Sequence, residues 1–250
     1  FEANVEDAVN QLSHMRLPTQ EVKRGNYKTY LAPAAVNELF GLLNWGGWSA
    51  QAFKTGRSPL KDLAEGKRKF SGKMNISEDF SLGLSPRFNS FGEVASDKLS
   101  IVSSGQLETL LVSSKTAEEH AELTSNQASA GEGLRSPVMG SGGLKRADIL
   151  TELGTGLYLS NLHYLNYSDL PKARVTGMTR FACFWVENGE IKGPIKDLRF
   201  DETVYNIFGD NLVDITDFAE IQPVVGTYEQ RAIGGAKVPG LLVNDFAYTL

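Results

Sequence analysis

A chain of 250 residues, 41% hydrophobic and 22% charged, is long enough to bury a full core as one large domain or two intimate ones, and its balance is that of a globular protein in water. A net charge of −5 argues against a surface that tracks nucleic-acid phosphates, and no apolar run approaches the ~20 residues of a bilayer span, nor does a signal-peptide pattern open the chain. The single cysteine, Cys183, leaves no internal disulfide and fits a reducing compartment, so a cytoplasmic protein without direct nucleic-acid or membrane contact is expected.

The chain opens on Phe1 rather than Met, as a fragment or a processed chain would. Val5, Ala8, Val9, Leu12 and Met15 recur at spacings of three and four, which predicts one amphipathic helix from Phe1 to Arg16, ended by Leu17-Pro18-Thr19. His14, near the end of that helix, reads as a surface histidine facing the carbonyl dipole rather than a ligand. Tyr27 to Leu31 predicts a short strand. Pro33 then opens a helix where its missing N–H does no harm, and Val36, Leu39, Phe40 and Leu43 form one buried stripe until Gly46-Gly47 stops it.

The run Lys54-Thr55-Gly56-Arg57-Ser58-Pro59-Leu60-Lys61 holds both a Lys-Thr-Gly and a Ser-x-x-Lys. In serine acyl-transfer sites such triplets come from separate elements and meet across the site; here they are nearly contiguous, so a basic turn with polar capping is the reading and a Ser58 nucleophile the remote alternative. Lys67-Arg68-Lys69 reads as a solvated turn rather than an anion site. Leu99 to Val112 predicts a hairpin about Ser104-Gly105, with Leu107, Thr109 and Leu111 on the return strand. Ser113 to Leu123 reads as a short polar helix on which His120, among Glu118, Glu119 and Glu122, is a surface residue. Asn126 to Gly143 is loop-like, with five glycines around Pro137. It lacks the ending of a nucleotide P-loop and the spacing of a dinucleotide fingerprint, and stands as a candidate binding loop. Asp148 to Thr151 predicts a short helix.

Leu157 to Leu162 predicts a strand, after which Asn161, His163, Tyr164, Asn166 and Tyr167 crowd polar and aromatic groups into one connection. Such a set suits hydrogen bonding to an extended peptide, and equally a loop tied by its own Asn side chains. His163 has no partner ligands near it in sequence. Asn188-Gly189 predicts a type I′ hairpin turn with Val186 facing Ile191 and Trp185 facing Lys192. Phe181, Cys183 and Trp185 alternate with Ala182, Phe184 and Val186, so both faces of the incoming strand are apolar and the strand is interior, while Pro194 marks an edge or a bulge. Thr203 to Phe208 continues as helix or irregular chain, and Val213 to Phe218, Ile221 to Val225 and Leu241 to Tyr248 predict strands joined through Gly226, Gly234, Gly235 and Gly240.

The order Gly156-Leu157-Tyr158-Leu159, then Thr176-Gly177-Met178-Thr179-Arg180, then Phe184-Trp185-Val186-Glu187-Asn188-Gly189-Glu190 resembles the C-terminal domain of the TldD/PmbA family, the modulators of DNA gyrase. Val238-Pro239-Gly240-Leu241-Leu242-Val243 is similar to that family's closing strand. The resemblance, which covers Tyr27 to the C-terminus, implies an α+β fold, an antiparallel-strand-rich curved sheet with a few covering helices. Residues 25–250 would form this domain, and residues 1–24 the end of a missing N-terminal domain or a linker helix. Catalytic members carry His-Glu-x-x-x-His on the helix that here runs from Pro33, and a further cysteine in a Gly-Thr-Cys-Gly run near the C-terminus. The aligned positions are Gly41, Leu42 and Gly46, and Gly234 in Ala232-Ile233-Gly234-Gly235; none binds metal or moves a proton, and Glu38 is the one carboxylate between Ala32 and Arg57. The resemblance therefore implies a TldE/PmbA-like subunit, metal-free and non-catalytic by itself, with no cofactor of its own. Zinc would sit in a TldD-like catalytic partner of a heterodimer that degrades unfolded or flexible peptides. Asn161, His163, Tyr164, Asn166 and Arg180 are the candidate peptide-binding residues. The alternative is a stand-alone peptide-binding or scaffold homodimer without a proteolytic partner.

Overall fold

The computed structural model describes residues 2–227 and 231–249. Its strands join one sheet, and the pairing is mostly antiparallel. Strand β1 (Gly25–Leu31) lies antiparallel to β11 (Gly235–Tyr248), with Gly25 opposite Tyr248, and parallel to β6 (Gly156–Asp169), with Leu31 opposite Leu159. β6 forms a long antiparallel ribbon with β7 (Arg174–Glu187), and β7 pairs in turn with β9 (Arg199–Thr203). Phe200 of β9 meets Tyr248 of β11, which closes a circuit β1–β6–β7–β9–β11 back to β1. From the first half of β11 the sheet also extends antiparallel to β10 (Leu212–Pro223) and parallel to β5 (Pro137–Met139). Beyond β5 lie β2 (Ile76–Asp79), β3 (Lys98–Ser103) and the two-residue β4 (Gln106–Leu107).

The longest helix packed on the core is α2 (Pro33–Leu43). Its expected stripe Val36, Leu39, Phe40 and Leu43 is buried, and the Phe40 ring packs 6.5 Å from Trp48 and 6.3 Å from Phe208. Removing these side chains from water is the main stabilising term for a covering helix of this length. Asn44 caps it, and the amide of Gly47 donates to Leu43 O at 2.8 Å. A Cβ on Gly47 would lie 2.5 Å from that oxygen, so the stop is steric as well as conformational.

The turn at Asn188-Gly189 has φ of 52° and 79°, as a type I′ turn requires, and Val186 faces Ile191. Trp185, however, faces Gly193 of β8 (Glu190–Pro194) and not Lys192, because an irregularity between Trp185 and Val186 shifts the register. Ser104-Gly105 repeats the same turn chemistry (φ 47° and 78°). Its return strand stops at Leu107 instead of running to Leu111, because the Leu111 amide donates to Trp48 O at 2.8 Å and its carbonyl accepts from Ala50 N at 3.0 Å.

Further expectations are corrected. The helix α1 (Glu2–His14) forms, but its apolar stripe faces outward: Val9 is 56% and Leu12 66% exposed. The helix leans on the sheet through His14, whose ring meets Phe184 edge-on at 5.9 Å, so His14 is a packing residue rather than a free surface one. The connection after Leu162 is no loop; β6 runs on to Asp169 because β7 goes on pairing with it, His163 against Met178 and Asn166 against Thr176. The glycine-rich segment 126–143 contains β5, and the two strands expected between Val213 and Val225 are one, β10, with a shift in register between Ile215 and Ala219. Among the described residues no helix is long and apolar enough to cross a membrane.

Candidate functional site

The outward face of α2 carries Asn37, Glu38 and Gly41, and two structures border it. On one side stands the irregular stretch of the β6–β7 ribbon. Tyr164 (φ 52°) and Phe181 (φ 63°) both hold left-handed backbone and expose their rings, 76% and 69% accessible. An aromatic residue in that conformation is held there by the ribbon around it, since the local cost is about 1 kcal/mol or more. The His163 ring lies 4.2 Å from the Tyr164 ring, and Arg180 lies 5.3 Å over that of Phe181. Partial burial raises the Glu38 carboxyl above the ordinary carboxylate range, and the nearby charge of His163 opposes that rise.

The five candidate peptide-binding residues are therefore not one cluster. His163 and Tyr164 stand together next to Glu38, and Asn161 and Arg180 are cross-strand partners. Asn161 also lines a separate cavity of about 400 Å³ against Phe184 and Arg146, whereas Asn166 accepts a hydrogen bond from Tyr167 N at 2.8 Å and serves its own backbone.

On the other side of the helix lies a cavity of about 510 Å³. Asn37, Gly41 and Asn44 form its floor, Phe88 and Arg135 one wall, and Ile233, Gly235 and Ala236 the opposite wall. Two of its polar side chains, Asn44 and Arg135, are already engaged. Asn44 Nδ2 donates to Leu134 O at 3.1 Å while its Oδ1 accepts from Leu134 N at 3.0 Å. Arg135 donates to Phe88 O at 2.9 Å and stacks 4.6 Å over Phe80, and burial lowers its pKa against the pull of Glu78. Glu78 is buried under this wall, where burial raises its carboxyl; hydrogen bonds from Ser136 N and Arg135 N work the other way.

The loop that brings Leu134 and Arg135 to the cavity is anchored by Glu132. This buried carboxylate accepts from Ser49 Oγ at 2.6 Å, Gln51 N at 2.8 Å and Ser113 N at 2.8 Å. Burial pushes its pKa up, but the hydrogen bonds from Ser113, Ser49, Thr116 and Gln51 together outweigh that and leave it below the ordinary value. Sequence reasoning missed Glu132, Asn44, Arg135 and Phe88. The Gly131-Glu132-Gly133 run was the one local sign, a carboxylate set between two glycines.

The aligned metal positions are only partly brought together. Gly41 and the two neighbours of Gly234, Ile233 and Gly235, border the same cavity. Leu42 is in the core at 3% exposure, and Gly46 lies past the helix end at φ 89°. Among the described residues, the side chains lining the cavity are amides, serine hydroxyls, apolar groups and a guanidinium, a set that does not fit a zinc ion. Among the described residues no group of three or more His, Cys, Asp or Glu side chains stands close enough to hold a metal. Ser58 is a buried turn residue: its Oγ donates to Gly47 O at 3.3 Å and accepts from Leu60 N at 3.2 Å, while Lys61 pairs with Glu65 at 3.8 Å. In the basic turn, Lys67 pairs with Glu65 and Arg68 with Asp210 at 2.9 Å.

Residues 24–249 match the family model of the PmbA/TldA metallopeptidase C-terminal domain. No curated protein matches the sequence. Among solved structures, TldE from Thermococcus kodakarensis superposes with a TM-score of 0.78 at 16% identity, over 100% of this chain and 55% of that one. A protein described as a modulator of a DNA gyrase from Thermotoga maritima gives 0.74 at 17% identity, over 92% and 51%. One so described from Bacteroides thetaiotaomicron gives 0.75 at 15% identity, over 98% and 51%. At such identities the likeness is one of fold, an antiparallel-rich sheet with few helices, and this chain spans about half the length of each.

Proposed function

Since this chain belongs to the PmbA/TldA metallopeptidase family, we propose that it is the metal-free, non-catalytic member of a two-subunit peptidase that acts on unfolded or flexible peptides in the cytoplasm. The observation that carries the reading is the cavity between α2 and the start of β11. There the helix and the C-terminal segment that bear ligands in catalytic relatives approach each other, and the facing side chains are Asn37, Gly41, Asn44 and Ile233. This chain keeps the cleft and supplies wall and substrate path; a TldD-like partner supplies zinc and the activated water. His163, Tyr164 and Arg180 on the β6–β7 ribbon, across α2 from that cleft, are the proposed peptide contacts, with Asn161 as the cross-strand partner of Arg180. The likeness to a protein named TldE supports the pairing.

Co-expression with a family member that carries His-Glu-x-x-x-His tests this. Native mass spectrometry is expected to show a heteromer whose zinc follows the partner, and peptidase activity is expected only when both subunits are present. Zinc-dependent cleavage by this chain alone overturns the division of labour. A metal-free self-dimer that binds peptides and ignores the partner replaces it with the scaffold reading.

A further inference from the structure

We infer that the cavity between α2 and β11 is an anchor pocket for one bulky, uncharged, apolar side chain of an extended peptide; this rests on the peptide-binding reading above and adds a specificity to it. Three observations lead there. The first is what the lining can offer. Asn44 and Arg135 spend their hydrogen bonds on Leu134, Phe88 and Pro86, and Asn89 spends its own on Ala128 O, Glu93 and Phe91 N. Asn37, Ser85, Ser90 and Ser129, which also line it, are neutral, and its one charged side chain among the described residues, Arg135, already donates to Pro86 O and Phe88 O. An entering carboxylate or ammonium would lose its water without meeting a free opposite charge, so the match is to a neutral group. The apolar groups Phe40, Leu134 and Ala236 line the cavity, and its volume of about 510 Å³ has room for a tryptophan side chain.

The second observation is Gly41. It sits inside α2 with ordinary helical backbone, where glycine costs about 1 kcal/mol relative to alanine. A Cβ added there would meet nothing within 4 Å. Neither backbone conformation nor close packing requires glycine at this place. What its missing side chain leaves is open volume on the cavity floor. Third, among the described residues the cavity is bordered by exposed apolar groups: Phe88 is 59% and Ile233 67% exposed, and Val224 lines the same cavity. Apolar groups gathered at the rim of a cavity mark a place where something apolar docks.

The test is fluorescence anisotropy of the full chain with labelled, unstructured Gly/Ser peptides that carry at one central position Trp, Ala, Glu or Lys. The Trp peptide is expected to bind about 10- to 100-fold more tightly than the Ala peptide, and the Glu and Lys peptides no better than Ala. Gly41→Leu, which fills the floor, is expected to erase the Trp advantage while thermal unfolding moves upward or stays put. Ile233→Glu, at an exposed site, is expected to weaken the Trp peptide selectively. Equal binding of the Trp and Ala peptides, or a Trp preference that survives both substitutions, overturns the anchor pocket and leaves the peptide-binding reading standing. Failure of every peptide to bind overturns both.

Discussion

The inner face of α2 buries Val36, Leu39 and Leu43 against the sheet, whereas its outer face presents Asn37, Glu38 and Gly41 to a ribbon on one side and a cavity on the other. Both faces belong to the same eleven residues. The inner residues are what a helix needs in order to stay on a sheet. The outer ones are not what a helix needs at all, since glycine weakens it and a carboxyl is held partly out of water there. Stability is concentrated on the first face and recognition on the second, and substitutions on the two should move different observables.

The largest effect is expected inside. Leu39→Ala removes a side chain that is 1% exposed and is expected to cost about 2–5 kcal/mol, read as a lower midpoint in urea at unchanged slope. An equal loss from Asn37→Ala would erase the distinction between the faces. Next comes the loop that walls the cavity. Glu132→Ala deletes a buried acceptor of three hydrogen bonds and is expected to cost roughly 1.5–3 kcal/mol.

That contribution is pH-dependent. The folded carboxyl titrates below its unfolded value of about 4.3, so its stabilisation is complete above that pH and is lost as pH falls through the lower, folded-state value. Urea unfolding at a series of pH values should therefore show the stability of Glu132→Ala falling less steeply in acid than that of the parent, the two curves converging at low pH. The smallest effect has the opposite sign: Gly41→Ala is expected to stabilise the fold by about 1 kcal/mol, measured as a raised urea midpoint. A destabilised Gly41→Ala would mean that the cavity floor is packed and not open.

Features decided within a few residues were legible beforehand. Asn188-Gly189 and Ser104-Gly105 dictate their turns through positive φ, and the spacing of Val36, Leu39, Phe40 and Leu43 fixes which side of α2 goes down. Periodicity failed at α1 for a physical reason: it identifies the apolar face of a helix, not what that face meets, and here His14 rather than Leu12 finds the sheet. The polar run around His163 resembles a loop because β6 is irregular there, yet a strand tolerates such residues when its partner continues beside it. The cavity was the least legible feature. Its walls come from Gly41, Phe88, Arg135 and Gly235, which are far apart in the chain, and Arg135 became a wall residue only because Glu132 pins the loop that carries it.

The closed circuit of strands also sets how the fold must be gathered. β1, β5, β9 and β10 all pair with β11, so Gly25 and Tyr248, neighbours across β1 and β11, come from distant parts of the chain. Contacts of such separation must close a long loop before they return any stabilisation, so refolding from urea is expected to be slow for a domain of this size and to pass through species with unpaired strand edges that aggregate as concentration rises.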